Sequence, residues 1–119
     1  MNLQFSLTPS ESKRIIAKAT VQFLKERIEN GNQIMITRGS TNAYVLDEVL
    51  ELINQDLESN MADFVTGAII GGKQSLWANP PEHRMPEILI RDGAIEFIET
   101  WDERPDIARN MKKGDVIIK

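Results

Sequence analysis

Between Thr8 and Asn30, apolar side chains recur at spacings of three and four: Ile15, Ile16, Ala19, Phe23 and Leu24, with Lys13, Lys18, Lys25 and Glu26 largely off that stripe. Such spacing collects side chains on one face of an α-helix, so the pattern predicts a first helix with this stripe turned inward. Thr8, Pro9 and Glu11 mark its start as a capping box with proline in the first turn, and Asn30-Gly31 marks a left-handed stop. The rhythm then changes. "QIMIT" is apolar on successive, partly β-branched positions, which predicts a short, central strand covered on both faces, as in a parallel sheet. After "RGSTN" the helical rhythm resumes from about Ala43 to about Leu57. Ala43, Leu46, Val49, Leu50, Ile53 and Leu57 are predicted inward, and Asp47, Glu48, Glu51 and Asp56 in water.

Further along, "ADFVTGAII" reads as a second buried strand broken by "GGK", and "QSLWANPPEHRMP" as a surface loop. "EILIRDGAIEFIE" predicts a β-hairpin, because Asp92-Gly93 between two β-rich runs suits the positive φ angles of a tight primed turn. "WDERPDIARNMKKGD" predicts a short helix with Pro105 near its start and Gly114 past its end, and "DVIIK" a third strand of the buried type. Helices and strands alternating in this way predict an α/β fold over residues 1–119: a three-layer, mainly parallel Rossmann-like sheet with an added β-hairpin, in one domain. A strand of a parallel sheet ordinarily leads into a functional loop at its carboxyl end. "DVIIK" reaches Lys119 without one, which reads as part of a larger design.

Composition narrows the classes of function. With 119 residues, 41% of them hydrophobic, the chain is sized for one domain with a modest core. Its formal net charge is -4, and no basic run exceeds the pairs Lys13-Arg14 and Lys112-Lys113, so the field opposes a nucleic-acid partner. The absence of cysteine removes disulfides, thiolate metal sites and cysteine nucleophiles, and suits a reducing compartment. "MNLQFSLTPSESKR" lacks the basic start and apolar run of a signal peptide, and no apolar stretch is long enough to span a bilayer. The expected location is therefore cytoplasmic, with no membrane partner. His83, the single histidine, stands between Glu82 and Arg84 and forms no metal-binding cluster, so no metal or cofactor is expected.

Candidate chemistry concentrates in "RGSTN". Gly39 lets backbone approach a ligand, Ser40, Thr41 and Asn42 open a helix whose first N–H groups point outward, and Arg38 offers a guanidinium fork. Together these predict a site for a small anion. Gly71, Gly72 and Lys73 end the second predicted strand, and in a parallel sheet they would lie on the same rim, with Lys73 adding a second charge. The same residue types have a plainer use, since Ser, Thr and Asn are preferred helix caps and paired glycines turn chains. Arg91-Asp92-Gly93 reads chiefly as the hairpin turn, and Asp102, Glu103 and Asp106 as charges favoured at a helix start.

"AKATVQFLKERIENGNQIMITRGSTNAYVLDEVLELI" resembles the opening of the ribose-5-phosphate isomerase, glucosamine-6-phosphate deaminase and CoA-transferase superfamily, which includes the sensor domains of DeoR-type repressors. That order of helix, strand, phosphate-binding loop and helix places Gly39, Ser40 and Thr41 at the family's phosphate loop. Taken with "LTPSESKRIIAKA", "GAIIGGK", "PEILIRDG" and "KKGDVIIK", the chain resembles the front half of uncharacterised bacterial and archaeal proteins of that superfamily. The resemblance implies binding of a phosphorylated or carboxylated metabolite. It also implies an alternative, a share in an isomerase- or transferase-like site completed by a complementary chain or subunit. Arg38 stands where the isomerases usually have glycine, and their acidic and lysine residues follow the segment present here, so no catalytic residue is carried over. A third reading is structural: exposed sheet edges would pair with another copy in a homo-oligomer. A DeoR-like regulator is disfavoured, as no helix-turn-helix segment precedes residue 10 and the charge is negative.

Overall fold

The computed structural model describes residues 1–58, 61–65 and 84–119. In chain order the elements are α1 (Pro9–Glu29), β1 (Ile34–Ile36), α2 (Ser40–Leu52), a 3₁₀ turn at Met61–Phe64, β2 (Glu87–Arg91), β3 (Ala94–Ile98), α3 (Glu103–Arg109) and β4 (Val116–Ile118). The strands form one sheet in the order β3-β2-β1-β4. The domain is a small α/β unit with a four-strand mixed sheet and three helices among the described residues.

Locally encoded features stand where the sequence puts them. The Thr8 Oγ1 accepts from the Glu11 N–H at 3.2 Å while the Glu11 carboxylate accepts from the Thr8 N–H at 2.7 Å, a reciprocal capping box. At the other end Gly31, at φ 76°, lets its own N–H reach the Ile28 carbonyl and that of Asn32 reach Arg27, closing a Schellman motif. Asp92 and Gly93, at φ 51° and 72°, make the primed turn that joins β2 to β3.

Tertiary packing corrects other expectations. α1 buries Ala17, Val21, Leu24 and Ile28, whereas Ile15, Ile16, Ala19 and Phe23 are exposed. Two apolar stripes share this helix. Arg14 and Lys18 select the inner one by pairing with Asp47 and Glu48 on α2. α2 begins at Ser40 rather than Ala43 and stops at Leu52 rather than Leu57, although Ile53 and Leu57 still pack against the core.

The sheet is not mainly parallel among the described strands: β1 pairs parallel with β4 but antiparallel with β2, and β2 pairs antiparallel with β3. Fully buried Ile34, Met35 and Ile36 are explained instead by an inner strand position with cover on both faces. β4 borders the sheet and is half-exposed rather than buried. Of "ADFVTGAII", residues 62–64 lie in the 3₁₀ turn, not in a strand; residues 66–70 lie outside the described residues.

The two sheet faces differ in cover. Ile34, Ile36, Ile88 and Ile90 join α1, α2 and Phe64 in the main core. On the opposite face Met35, Leu89 and Ile98 pack, among the described residues, with Ile107 and Met111, from α3 and just beyond it. No helix among the described residues is long and apolar enough to cross a membrane.

Candidate functional site

Residues 37–42 connect β1 to α2, and most of their polar groups brace the loop. Thr37 donates its N–H at 3.0 Å and its hydroxyl at 3.1 Å to the Ile118 carbonyl. Asn42, buried, donates its amide to the Thr37 carbonyl at 2.9 Å, so its side chain ties the loop to the helix. The Gly39 N–H is spent on the Phe64 carbonyl at 2.9 Å, and the Arg38 N–H on the Glu87 carboxylate at 3.3 Å. Gly39 is the N-cap residue and supplies no side-chain cap; its φ of 169° is ordinary extended backbone. The N–H groups of Ser40, Thr41 and Asn42 therefore have no acceptor among the described residues. The plain alternative, a loop capped by its own side chain, is not what forms.

Arg38 and Ser40 line different cavities. Ser40 lines a cavity of about 390 Å³ beside Arg14, Tyr44, Asp47 and Val65. Arg14 is committed there to Asp47 and Glu48, both at 2.7 Å, with its guanidinium over the Tyr44 ring at 4.8 Å. Arg38 lines a different cavity, of about 180 Å³, with Arg84, Glu87, Glu99, Trp101 and Arg104.

In that second cavity charge is crowded. Glu87, at the start of β2 and 4% exposed, accepts from Arg104 at 2.7 Å through one oxygen. Its other oxygen lies beside the Arg104 Nε as an ion pair, without the alignment of a hydrogen bond. Arg104 stacks on the Trp101 indole at 3.8 Å, and the Arg38 guanidinium stands 5.8 Å from the same ring. Arg38 is the exception among these partners: its Nε is sealed from solvent without an acceptor, and none of its guanidinium N–H groups is bonded among the described residues. Burial lowers its pKa from the ordinary guanidinium value, Arg104 and Arg84 lower it further, and Glu87 partly opposes them.

Arg84, Glu87, Trp101 and Arg104 were not legible as site residues from sequence. Arg84 sat in a Pro-rich segment, and Arg104 beside charges that read as a helix start. The one available signal was the pairing of Trp101 with Arg104 three residues on, a spacing that brings side chains together. Gly71, Gly72, Lys73 and His83 lie outside the described residues. Among the described residues no group of acidic and histidine side chains is arranged to hold a metal.

Comparison with protein families, with curated proteins and with solved structures finds no match.

Proposed function

We propose that the chain binds a small phosphorylated or carboxylated metabolite, with the anionic group held by Arg38 in the cavity it shares with Arg84 and Arg104. The observation that carries this reading is the Arg38 guanidinium, half-buried and without a hydrogen-bond acceptor among the described residues. A desolvated guanidinium without hydrogen-bond acceptors is costly, and an incoming carboxylate or phosphate would supply the acceptors and add to the countercharge of Glu87. Glu87 neutralises Arg104 and fixes the Arg38 backbone, which leaves the Arg38 side chain for ligand. At about 180 Å³ the cavity suits a charged head group, with the remainder of the ligand outside it. The resemblance to sugar-phosphate proteins makes ribose 5-phosphate a reasonable probe.

Calorimetry with inorganic phosphate, ribose 5-phosphate and succinate tests the reading. Arg38→Ala should weaken binding about tenfold or more, the scale of a lost charge-assisted bond. Gly39→Ala separates this cavity from the helix start. The atoms nearest a Cβ at Gly39 belong to Asn42, at 3.7 Å, an ordinary contact distance, so the variant should fold normally. It would obstruct an anion lying over the loop but not one held in the arginine cavity. Full loss of binding in Gly39→Ala with none in Arg38→Ala would reject the proposal.

A further inference from the structure

The segment before α1 has a strand's pattern without a strand's structure. In "NLQFSL", Leu3, Phe5 and Leu7 alternate with Asn2, Gln4 and Ser6, the period of an element with one apolar face. Yet Leu3 is 73% exposed, Phe5 77% and Leu7 48%, and residues 1–7 make no hydrogen bond among the described residues. Three large apolar side chains in a row on water form the kind of surface that marks an interaction.

The fold carries a matching vacancy. β3 is hydrogen-bonded on one side to β2 and ends the sheet on the other, so the N–H and C=O groups of its outer edge lack partners among the described residues. Its two faces are chemically distinct. Ile95 and Phe97 lie opposite Ile90 and Ile88 on the side of the main core, and Phe97 is still 44% exposed; Glu96 points to the other side. A strand added to this edge with the period of residues 2–7 would lay Leu3, Phe5 and Leu7 beside Ile95 and Phe97. Asn2, Gln4 and Ser6 would fall on the side of Glu96.

We propose that residues 2–7 are an exchanged strand, which adds to the β3 edge of a second copy of this chain while that copy's segment adds to the first. Reciprocal exchange uses the same two surfaces twice and closes at a dimer. It satisfies the edge of β3 and covers Phe97, and it gives the alternation of residues 2–7 a purpose that the single chain leaves unmet.

Sedimentation velocity on the full chain at micromolar concentration should show a dimer. Phe5→Pro removes an N–H and breaks the added strand in a segment that the folded chain does not use, so the monomer should stay folded while dissociation rises about tenfold or more. Phe5→Val keeps the pattern and should keep the dimer. Phe97→Lys on the receiving edge should weaken association to a similar degree, with circular dichroism confirming the fold. A wild-type monomer, or a dimer untouched by Phe5→Pro, would overturn the proposal. So would dissociation by Phe5→Pro with no effect of Phe97→Lys, because the segment would then dock elsewhere.

Discussion

Arg38 and Glu87, charges of opposite sign lining one cavity, differ in their value for the fold. Glu87 is buried and ion-paired: one oxygen joins the Arg104 guanidinium to the backbone of the β1–α2 loop, and the other lies beside the Arg104 Nε. Taking Arg104 away should be damaging: Arg104→Met leaves a buried carboxylate without its cation, a loss of roughly 3 kcal/mol by analogy with broken buried pairs. The Arg38 guanidinium has no hydrogen-bond acceptor among the described residues and the Glu87 charge offsets its burial only in part, so removing its charge should help the empty protein. We expect Arg38→Met to raise unfolding stability in urea by about 1 kcal/mol, in the manner of binding sites that hold strain for function, while abolishing the anion response. A lower urea midpoint for Arg38→Met would show that the guanidinium is stabilised by something other than a ligand. Sequence marked Arg38 as a candidate anion donor by type and place alone. Its neighbours were not legible, because Arg84, Glu87 and Arg104 reach it only through strand pairing and helix docking distant in the chain. Asn42 has a residue type that fits a ligand donor, and packing gives its amide a bracing bond that sequence did not mark.

At the scale of elements, the turn that enters β4 sets its parallel pairing with β1. The Asp115 carboxylate accepts from the Lys112 N–H at 2.7 Å, from the Gln33 N–H at 2.9 Å and from Asn32 at 3.2 Å, so it aligns the starts of β1 and β4. These bonds, the Lys112 and Gln33 backbone groups first, hold its pKa below the ordinary carboxylate value. A depressed carboxyl contributes stability above its unfolded pKa of about 4 and loses it as pH falls through the lower folded value. Asp115→Asn should therefore cost about 1 kcal/mol at neutral pH, with the gap from wild type narrowing below about pH 4. Denaturation series at both pH values check this, and a gap independent of pH would remove the carboxylate from the account. Gly114 beside it stands at φ 103°, and a Cβ there would lie 2.6 Å from the Asn32 amide. Gly114→Ala should consequently destabilise more than Gly39→Ala. Turns and caps of this kind were readable since their causes lie within a few residues. The face of α1 was not: Ile16, Ala19 and Phe23 keep helical spacing as faithfully as Ala17, Val21 and Leu24, and only the fit against α2 chooses.

For the whole molecule, the unequal cover of the sheet joins stability to the candidate site. The main core gathers both long helices, whereas α3 contributes no buried residue and holds the opposite face through half-buried Ile107 and, just beyond the helix, Met111. Elements with little buried apolar contact open locally at a fraction of the global unfolding free energy. α3 carries Arg104 and is preceded by Trp101, so its opening would take two walls of the arginine cavity with it. Glu87, by contrast, sits on β2, inside the sheet and paired on both sides. The cavity is thus built half on a rigid strand and half on a weakly held helix, and an anion that bridges Arg38 to that helix must stabilise the closed arrangement by mass action. Hydrogen exchange should accordingly find α3 amides much less protected than those of β1 and β2, and saturating inorganic phosphate or succinate should slow α3 selectively. Protection in α3 equal to that of the central strands would contradict the packing argument; unequal protection with no response to the anion that binds would place the ligand away from Arg104 and Trp101.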